Sequence, residues 1–376
     1  MSGVLVMTIL HGGDLKKYQE KYKLAEQDLI DFSANINPLG TPAVVYRALL
    51  NRMAQIKNYP QPLSRDLKRI IAVKLGMAET NIVIGNGAVD LIYQLVQTLK
   101  PEEVLLFAPT FSEYHSAVTG NGGVSQWIEL DRADDFTYHI EHILAKLAHI
   151  KMIFLCNPNN PTGSLLQRRD LEKVCLACQE QGILLVIDES FIEFLADLDQ
   201  YTVIDLAAVY PKLFVLRSLT KFYAIPGLRL GYGVGEADLI KSIEENGDPW
   251  RVNMLAQLAG EVIFEREQCQ QYTELTFDVI SREREFLYRE LQKIKGFKPL
   301  KSPVNFILVN IAETGFASTE ITDQLGSKGI IVRDCSSFRG LKQDYIRVAV
   351  KTRRENLILI KHLLTLFKKG ENNGKI

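Results

Sequence analysis

Apolar positions in the middle of the chain fall in short unbroken runs rather than in strict alternation. NIVIG (81–85), EVLLFA (103–108), SQWIEL (125–130), MIFLC (152–156), ILLVID (183–188), LFVLRS (213–218) and RLGYGVG (229–235) read as strands. Helical patterns lie between them, as in VDLIYQLVQTL (89–99) and RRDLEKVCLACQEQ (168–181). Strands that are apolar on both faces and separated by crossover helices predict an α/β unit with a mostly parallel central sheet and helices on both sides. Functional groups in such a sheet gather at the carboxyl ends of the strands.

After Asp248-Pro249-Trp250 the pattern turns helical and rich in Glu, Gln and Arg to about residue 295. NFILVNI (305–311), a helix ending at Lys328, GIIVRD (329–334), YIRVAV (345–350) and a last amphipathic helix follow. That succession predicts a smaller α+β unit. The loop-rich first stretch is placed with it, so the expected division is 45–247 against 1–44 plus 248–376. The final seven residues, GENNGKI, read as a frayed tail.

Composition narrows the class. The 376 residues are 47% apolar and 24% charged, enough to build a core and to exclude disorder as the main state. Lys plus Arg is 44 against 45 for Asp plus Glu, and this balance argues against a partner such as nucleic acid or an anionic membrane. The cysteines are odd in number and scattered. Cys175 and Cys178 form a C-x-x-C within a helical run, with no second pair or nearby histidine to complete a zinc set, so no metal is expected. The apolar run at the N-terminus lacks a basic segment before it, and no stretch approaches the ~20 apolar residues of a membrane helix. The expectation is a reduced, cytoplasmic enzyme.

Four segments carry chemistry. In SLTKFYAIPGLRLGY (218–232) a lysine follows a buried strand, with Ser218 and Arg229 to either side. A lysine amine with a lowered pKa is a nucleophile toward carbonyl groups, and a hydroxyl with a guanidinium suits a phosphate ester. IGNGAVDLI (84–92) puts small residues where a strand meets a helix N-terminus, a place where backbone N–H groups hold phosphate. LCNPNNPTG (155–163) is either a rigid turn or a loop that presents an Asn donor. LVIDES (185–190) ends a hydrophobic strand on Asp188, a costly place for an acid without a cation beside it. Each segment alone has a plain structural reading.

In this order the four resemble the pyridoxal-phosphate enzymes of the aspartate-aminotransferase fold, fold type I. The resemblance implies that Lys221 carries pyridoxal 5′-phosphate and that Asp188 keeps its ring nitrogen protonated. It also implies that Asn160 donates to the ring hydroxyl, that Phe111 of PTFSEY (109–114) stacks on the ring, and that Gly87, Ala88, Ser218 and Arg229 bind the phosphate. Phe191 stands where many relatives have a tyrosine, so one hydrogen bond to the ring hydroxyl is missing.

HGGD (11–14), DFSANINPLG (31–40), YPQPLSRDL (59–67), DPWRVN (248–253) and VRDCSSFRGLKQDYIRVAVKTRREN (332–356) narrow the likeness. They resemble the threonine-phosphate decarboxylases of cobamide biosynthesis, with histidinol-phosphate aminotransferases as cousins. Asp14 departs from the Asn usual there. Arg333 and Arg347, at or near strand ends, are candidates to clamp a phosphate or carboxylate. Both are expected on the phosphate, because a tight grip on a carboxylate that must leave would stabilise the ground state. His11 and Asn35 are further substrate candidates, and Tyr59 is expected to reach the other subunit's site in a homodimer. The implied reaction is decarboxylation of O-phospho-L-threonine to 1-amino-2-propanol phosphate. The alternatives are O-phospho-L-serine decarboxylation, a histidinol-phosphate-type transamination, and a catalytically silent binding module.

Overall fold

The computed structural model describes residues 12–373. Its strands are β1 (Ile30–Asp31), β2 (Ile82–Gly85), β3 (Glu103–Ala108), β4 (Val124–Glu129), β5 (Met152–Cys156), β6 (Leu184–Asp188), β7 (Leu213–Ser218), β8 (Gly231–Val234), β9 (Lys298–Pro299), β10 (Phe306–Asn310), β11 (Ile330–Ile331), β12 (Arg333–Asp334) and β13 (Tyr345–Ala349). The central sheet runs β2-β8-β7-β6-β5-β3-β4. The pairs from β7 to β4 are parallel, while β8 is antiparallel to both its neighbours. β5, β6 and β7 are buried at every position, which is why their sequences are apolar without alternation.

Both faces of the sheet are covered. Helices Arg65–Leu75 and Arg168–Gln181 bury Leu67, Ile71, Leu171 and Val174 on one side. Helices Ala88–Leu99, Glu113–Gly120 and Ala237–Glu245 bury Leu91, Leu95, Tyr114 and Ile240 on the other. β8 is shorter than the run RLGYGVG suggests. Pro226–Leu228 forms a 3-10 turn and Arg229 takes a left-handed backbone (φ 61), so the strand begins only at Gly231.

The second sheet is antiparallel, in the order β12-β13-β10-β9. β1 pairs in parallel with β11 and so brings the N-terminal stretch onto this unit, where Phe32 packs with Leu287, Ile307, Ile346 and Leu359. Helix Glu267–Gln292 spans 26 residues beside it. Helix Met254–Glu265 behaves otherwise. Its Ala256, Ala259 and Val262 belong to the same buried cluster as Leu67 and Ile71 beneath the large sheet. Cys175 and Cys178 are buried on helix Arg168–Gln181, where burial pushes both thiols up to about 12. Among the described residues no helix is long and apolar enough to cross a membrane.

Candidate active site

β7 ends at Ser218, and the short helix Leu219–Phe222 turns Lys221 back over the strand end. The Lys221 amine donates to Ser218 Oγ at 3.1 Å. Asn37 pins this turn from the N-terminal stretch. Its backbone N–H donates to the Lys221 carbonyl at 3.1 Å, and its side chain donates to the Phe222 carbonyl at 2.9 Å. Burial lowers the Lys221 pKa below the ordinary lysine value; Asp188 opposes this, and the Arg229 charge adds to it. An amine so placed gives up its proton more readily, as a carbonyl-seeking lysine must.

Asp188 closes β6 and is 3% exposed. Its Oδ1 accepts from the Ser190 backbone N–H at 2.9 Å, and its Oδ2 from the Tyr114 hydroxyl at 2.6 Å. Its neighbour Glu189 faces elsewhere and meets Arg217 at 2.7 Å in a buried pair that Thr202 and Glu193 complete. Arg217 thus has its own carboxylates, and among the described residues no such partner bridges Asp188. A buried acid with only hydroxyl and amide donors fits a site that receives a cation from a ligand.

The segments expected to hold the phosphate meet by close backbone approach. Gly87 is the N-cap of helix Ala88–Leu99 and has a φ of 85°, which favours glycine. Gly231 of β8 lies against the same helix start, and a Cβ there would sit 2.6 Å from the Ala88 nitrogen and 2.8 Å from the Arg217 carbonyl oxygen. Ser218 and Thr220 hydroxyls pair at 2.8 Å beside it, and the Arg229 guanidinium reaches over Gly87. We expect Gly231→Ala to cost roughly 1–3 kcal/mol of stability through overpacking. It should also weaken uptake of a phosphate-bearing cofactor, read by thermal unfolding together with a cofactor titration. Unchanged uptake would remove Gly231 from the phosphate cradle.

Phe111, Asn160, Asp188, Phe191 and Lys221 line one cavity together with Tyr114 and Cys156. Asn159 fixes the two loops that bound it. It accepts from Thr110 at 2.9 Å and donates to the Pro109 carbonyl at 2.9 Å and to Thr162 at 2.8 Å. Phe191 sits 5.6 Å from the Lys221 amine and meets Phe306 edge-on.

Arg333 and Arg347 stand directly opposite each other across β12 and β13, 9% and 5% exposed. Arg347 Nη1 donates to Asn160 Oδ1, and Nη2 to the Ser33 carbonyl at 2.8 Å. Its Nε is buried and has no partner among the described residues. Burial brings the Arg347 pKa down to about 10, and the Arg333 charge adds to the effect. Arg333 donates to Ser337 Oγ at 2.9 Å and lies over the Phe338 ring. Asn35 is buried nearby, its carbonyl accepting from Asn305 while its own Oδ1 lacks a partner among the described residues. His11 lies outside the described residues. Asp14 caps helix Leu15–Tyr22 by accepting from the Lys17 N–H, and it is exposed. Tyr59 is 86% exposed, remote in sequence from these strand ends, and packs on Trp250 at 5.7 Å.

Tyr114, Gly231, Asn159 and Asn37 lie in motifs legible in the chain, yet their partners belong to other elements. PTFSEY shows its first aromatic as the obvious stacking residue, and nothing local says that Tyr114 reaches Asp188 from 74 residues away.

A buried lysine with a lowered pKa, a buried acid with no ion-pair partner among the described residues, and a glycine-lined helix start, each at the end of a neighbouring strand or beside it, fit pyridoxal 5′-phosphate and define a pyridoxal-phosphate enzyme of fold type I. The chain belongs to the aminotransferase class I and II family, which matches residues 27–363. A protein of Caldanaerobacter subterraneus subsp. tengcongensis, provisionally named a threonine-phosphate decarboxylase, is 36% identical over 96% of this chain and 94% of its own. The threonine-phosphate decarboxylase of Salmonella typhimurium is 33% identical over 94% of this chain and 96% of its own. The histidinol-phosphate aminotransferase structure from Clostridium acetobutylicum is 28% identical, with a TM-score of 0.84 over 91% of this chain and 100% of that one.

Proposed function

We propose that the protein decarboxylates O-phospho-L-threonine to 1-amino-2-propanol phosphate for the cobamide nucleotide loop. The observation that carries a doubly anionic substrate is the buried Arg333–Arg347 pair facing across β12 and β13. Likeness to the two decarboxylases supports the reaction class. Transamination of histidinol phosphate is the second reading, favoured by the aminotransferase of similar shape.

Bound at this site, pyridoxal phosphate supplies an electron sink for bonds broken at the substrate Cα. Lys221 would hold it through its amine, and Gly87, Ala88, Ser218 and Arg229 would receive the phosphate. Phe111 would face the ring and Asn160 would donate to the ring hydroxyl. Asp188 would hold a proton at the ring nitrogen. The Lys221 amine would return a proton to Cα after carbon dioxide has left. Phe191 offers no hydroxyl and presents only apolar surface beside the lysine.

The geometry supports dividing the arginines, where the sequence alone favoured both on the phosphate. Arg347 is tied to Asn160, which lines the cavity with Lys221. It is therefore assigned to orient the carboxylate. Two of its N–H groups are already engaged, so its hold on that group is limited. Arg333 lies across the strand pair beside Ser337 and is assigned to the distal phosphate, with Asn35 and His11 as further substrate donors. Tyr59, exposed next to Ile56 and Trp250, supports a homodimer in which it reaches the partner's site. A cytoplasmic enzyme of two units, 45–247 and 1–44 plus 248–376, completes the reading, with helix Met254–Glu265 of the second packed into the core of the first.

Parallel assays with O-phospho-L-threonine, O-phospho-L-serine and histidinol phosphate test it, with carbon dioxide and the amine product measured. Arg333→Ala should weaken phosphorylated substrates by ~1.5–3 kcal/mol per lost charged hydrogen bond and leave plain threonine at its already low rate. Arg347→Ala should damage phosphorylated and plain amino acids alike. Amino transfer without gas release, whatever the arginine, would promote the transaminase.

A further inference from the structure

Tyr114 is completely buried in the first turn of helix Glu113–Gly120. Its ring stacks on Phe154 of β5, with centroids 5.0 Å apart and planes 7° from parallel. It meets Phe111 edge-on at 5.6 Å. Its hydroxyl donates to Asp188 Oδ2 at 2.6 Å, so one aromatic side chain touches both the expected stacking residue and the expected ring-nitrogen partner. The ionisable groups around Asp188 are Tyr114, Cys156 and Lys221. Burial, then the Asp188 charge, holds the Tyr114 phenol well above its ordinary value, and the same two causes push the Cys156 thiol up to about 12. Both stay protonated, so Tyr114 always has a proton to donate.

We propose that Tyr114 is a positioning residue for the cofactor: its hydroxyl keeps Asp188 ionised, and so leaves the proton shared between them on the ring nitrogen of pyridoxal phosphate. The inference rests on Asp188 being the ring partner. A proton between a carboxylate and a pyridine goes to the stronger base. Burial makes a carboxylate more basic, and a donor hydrogen bond to its charged form makes it less so. Asp188 has two such donors, Ser190 N–H and Tyr114 O–H. With the hydroxyl gone, the shared proton should sit less on the ring nitrogen and more on Oδ2. Net charge would be unchanged, but a more neutral ring would draw electrons from Cα poorly.

The test uses the holoenzyme loaded with cofactor carrying an isotope-labelled ring nitrogen, observed by NMR. The wild type should show the signal of a protonated ring. Tyr114→Phe keeps both ring contacts and should still take up cofactor, with the signal displaced toward neutral pyridine and turnover lower by about tenfold, as on removing the partner of a working residue. Phe154→Leu loosens the same stack but spares the hydroxyl, and should keep the wild-type signal. An unchanged signal in Tyr114→Phe, or an equal displacement in Phe154→Leu, would overturn the proposal. A neutral-ring signal already present in the wild type overturns the Asp188 assignment itself, which separates that failure from the failure of Tyr114.

Discussion

Lys221→Ala should give a folded protein that binds cofactor reversibly, resists its fixation by borohydride and has almost no turnover. The lysine has two tasks in the proposed reaction, holding the cofactor and returning a proton to Cα. Loss of the proton transfer alone is worth on the order of 10²–10⁴-fold, and loss of the covalent hold adds to it. The fold should survive, because the Lys221 side chain makes one hydrogen bond, to Ser218, while the turn is pinned by Asn37 through backbone groups that alanine retains. The wild type should be yellow and, after borohydride, carry the cofactor on a single lysine. Peptide mapping that located it on any other lysine would end the assignment.

Asp188→Asn should retain cofactor and colour yet turn over on the order of 10²–10³-fold more slowly, the scale expected when one preorganised electrostatic contact to developing charge is removed. An amide has the same shape and keeps an oxygen for the Ser190 N–H or the Tyr114 hydroxyl. It has no negative charge, so it cannot favour a protonated ring, and electrons leaving Cα have nowhere to go. Cofactor binding should change far less, because the residues proposed to hold the phosphate are others, near Gly87 and Gly231. Rates and cofactor affinity measured on the same preparations separate the two effects. Near-normal turnover in the amide variant would mean that another group protonates the ring.

The strand ends were the most legible part of the chain. β3, β5 and β7 lie at the limits their apolar runs predict, because nearly every position in them is buried and the runs carry no alternation to blur their ends. Asp188, which ends β6, and Lys221, just after β7, stood out as polar groups in costly places. The antiparallel course of β8 was not legible, since four residues of Gly, Tyr and Val pair equally well in either direction. Nor was the ownership of helix Met254–Glu265. Its apolar face is visible in the sequence, but which core it joins is decided by Leu67 and Leu230, which lie far from it along the chain. The arginines show the same limit. Their type and strand positions were readable, while the contact of Arg347 with Asn160 across 187 residues was not.

The facing arginines of β12 and β13 have a cost that lies outside the chemistry. Like charges directly opposite on adjacent strands repel, by roughly 0.2–1 kcal/mol in ordinary sheets, and here both are withdrawn from water. In the absence of substrate the small sheet is therefore locally frustrated at the point proposed to recognise anions. Selection for stability alone would replace one guanidinium with a neutral chain, and selection for recognition would keep both. The pair marks where these two pressures oppose each other, and a search for more heat-resistant variants would drift toward losing it first.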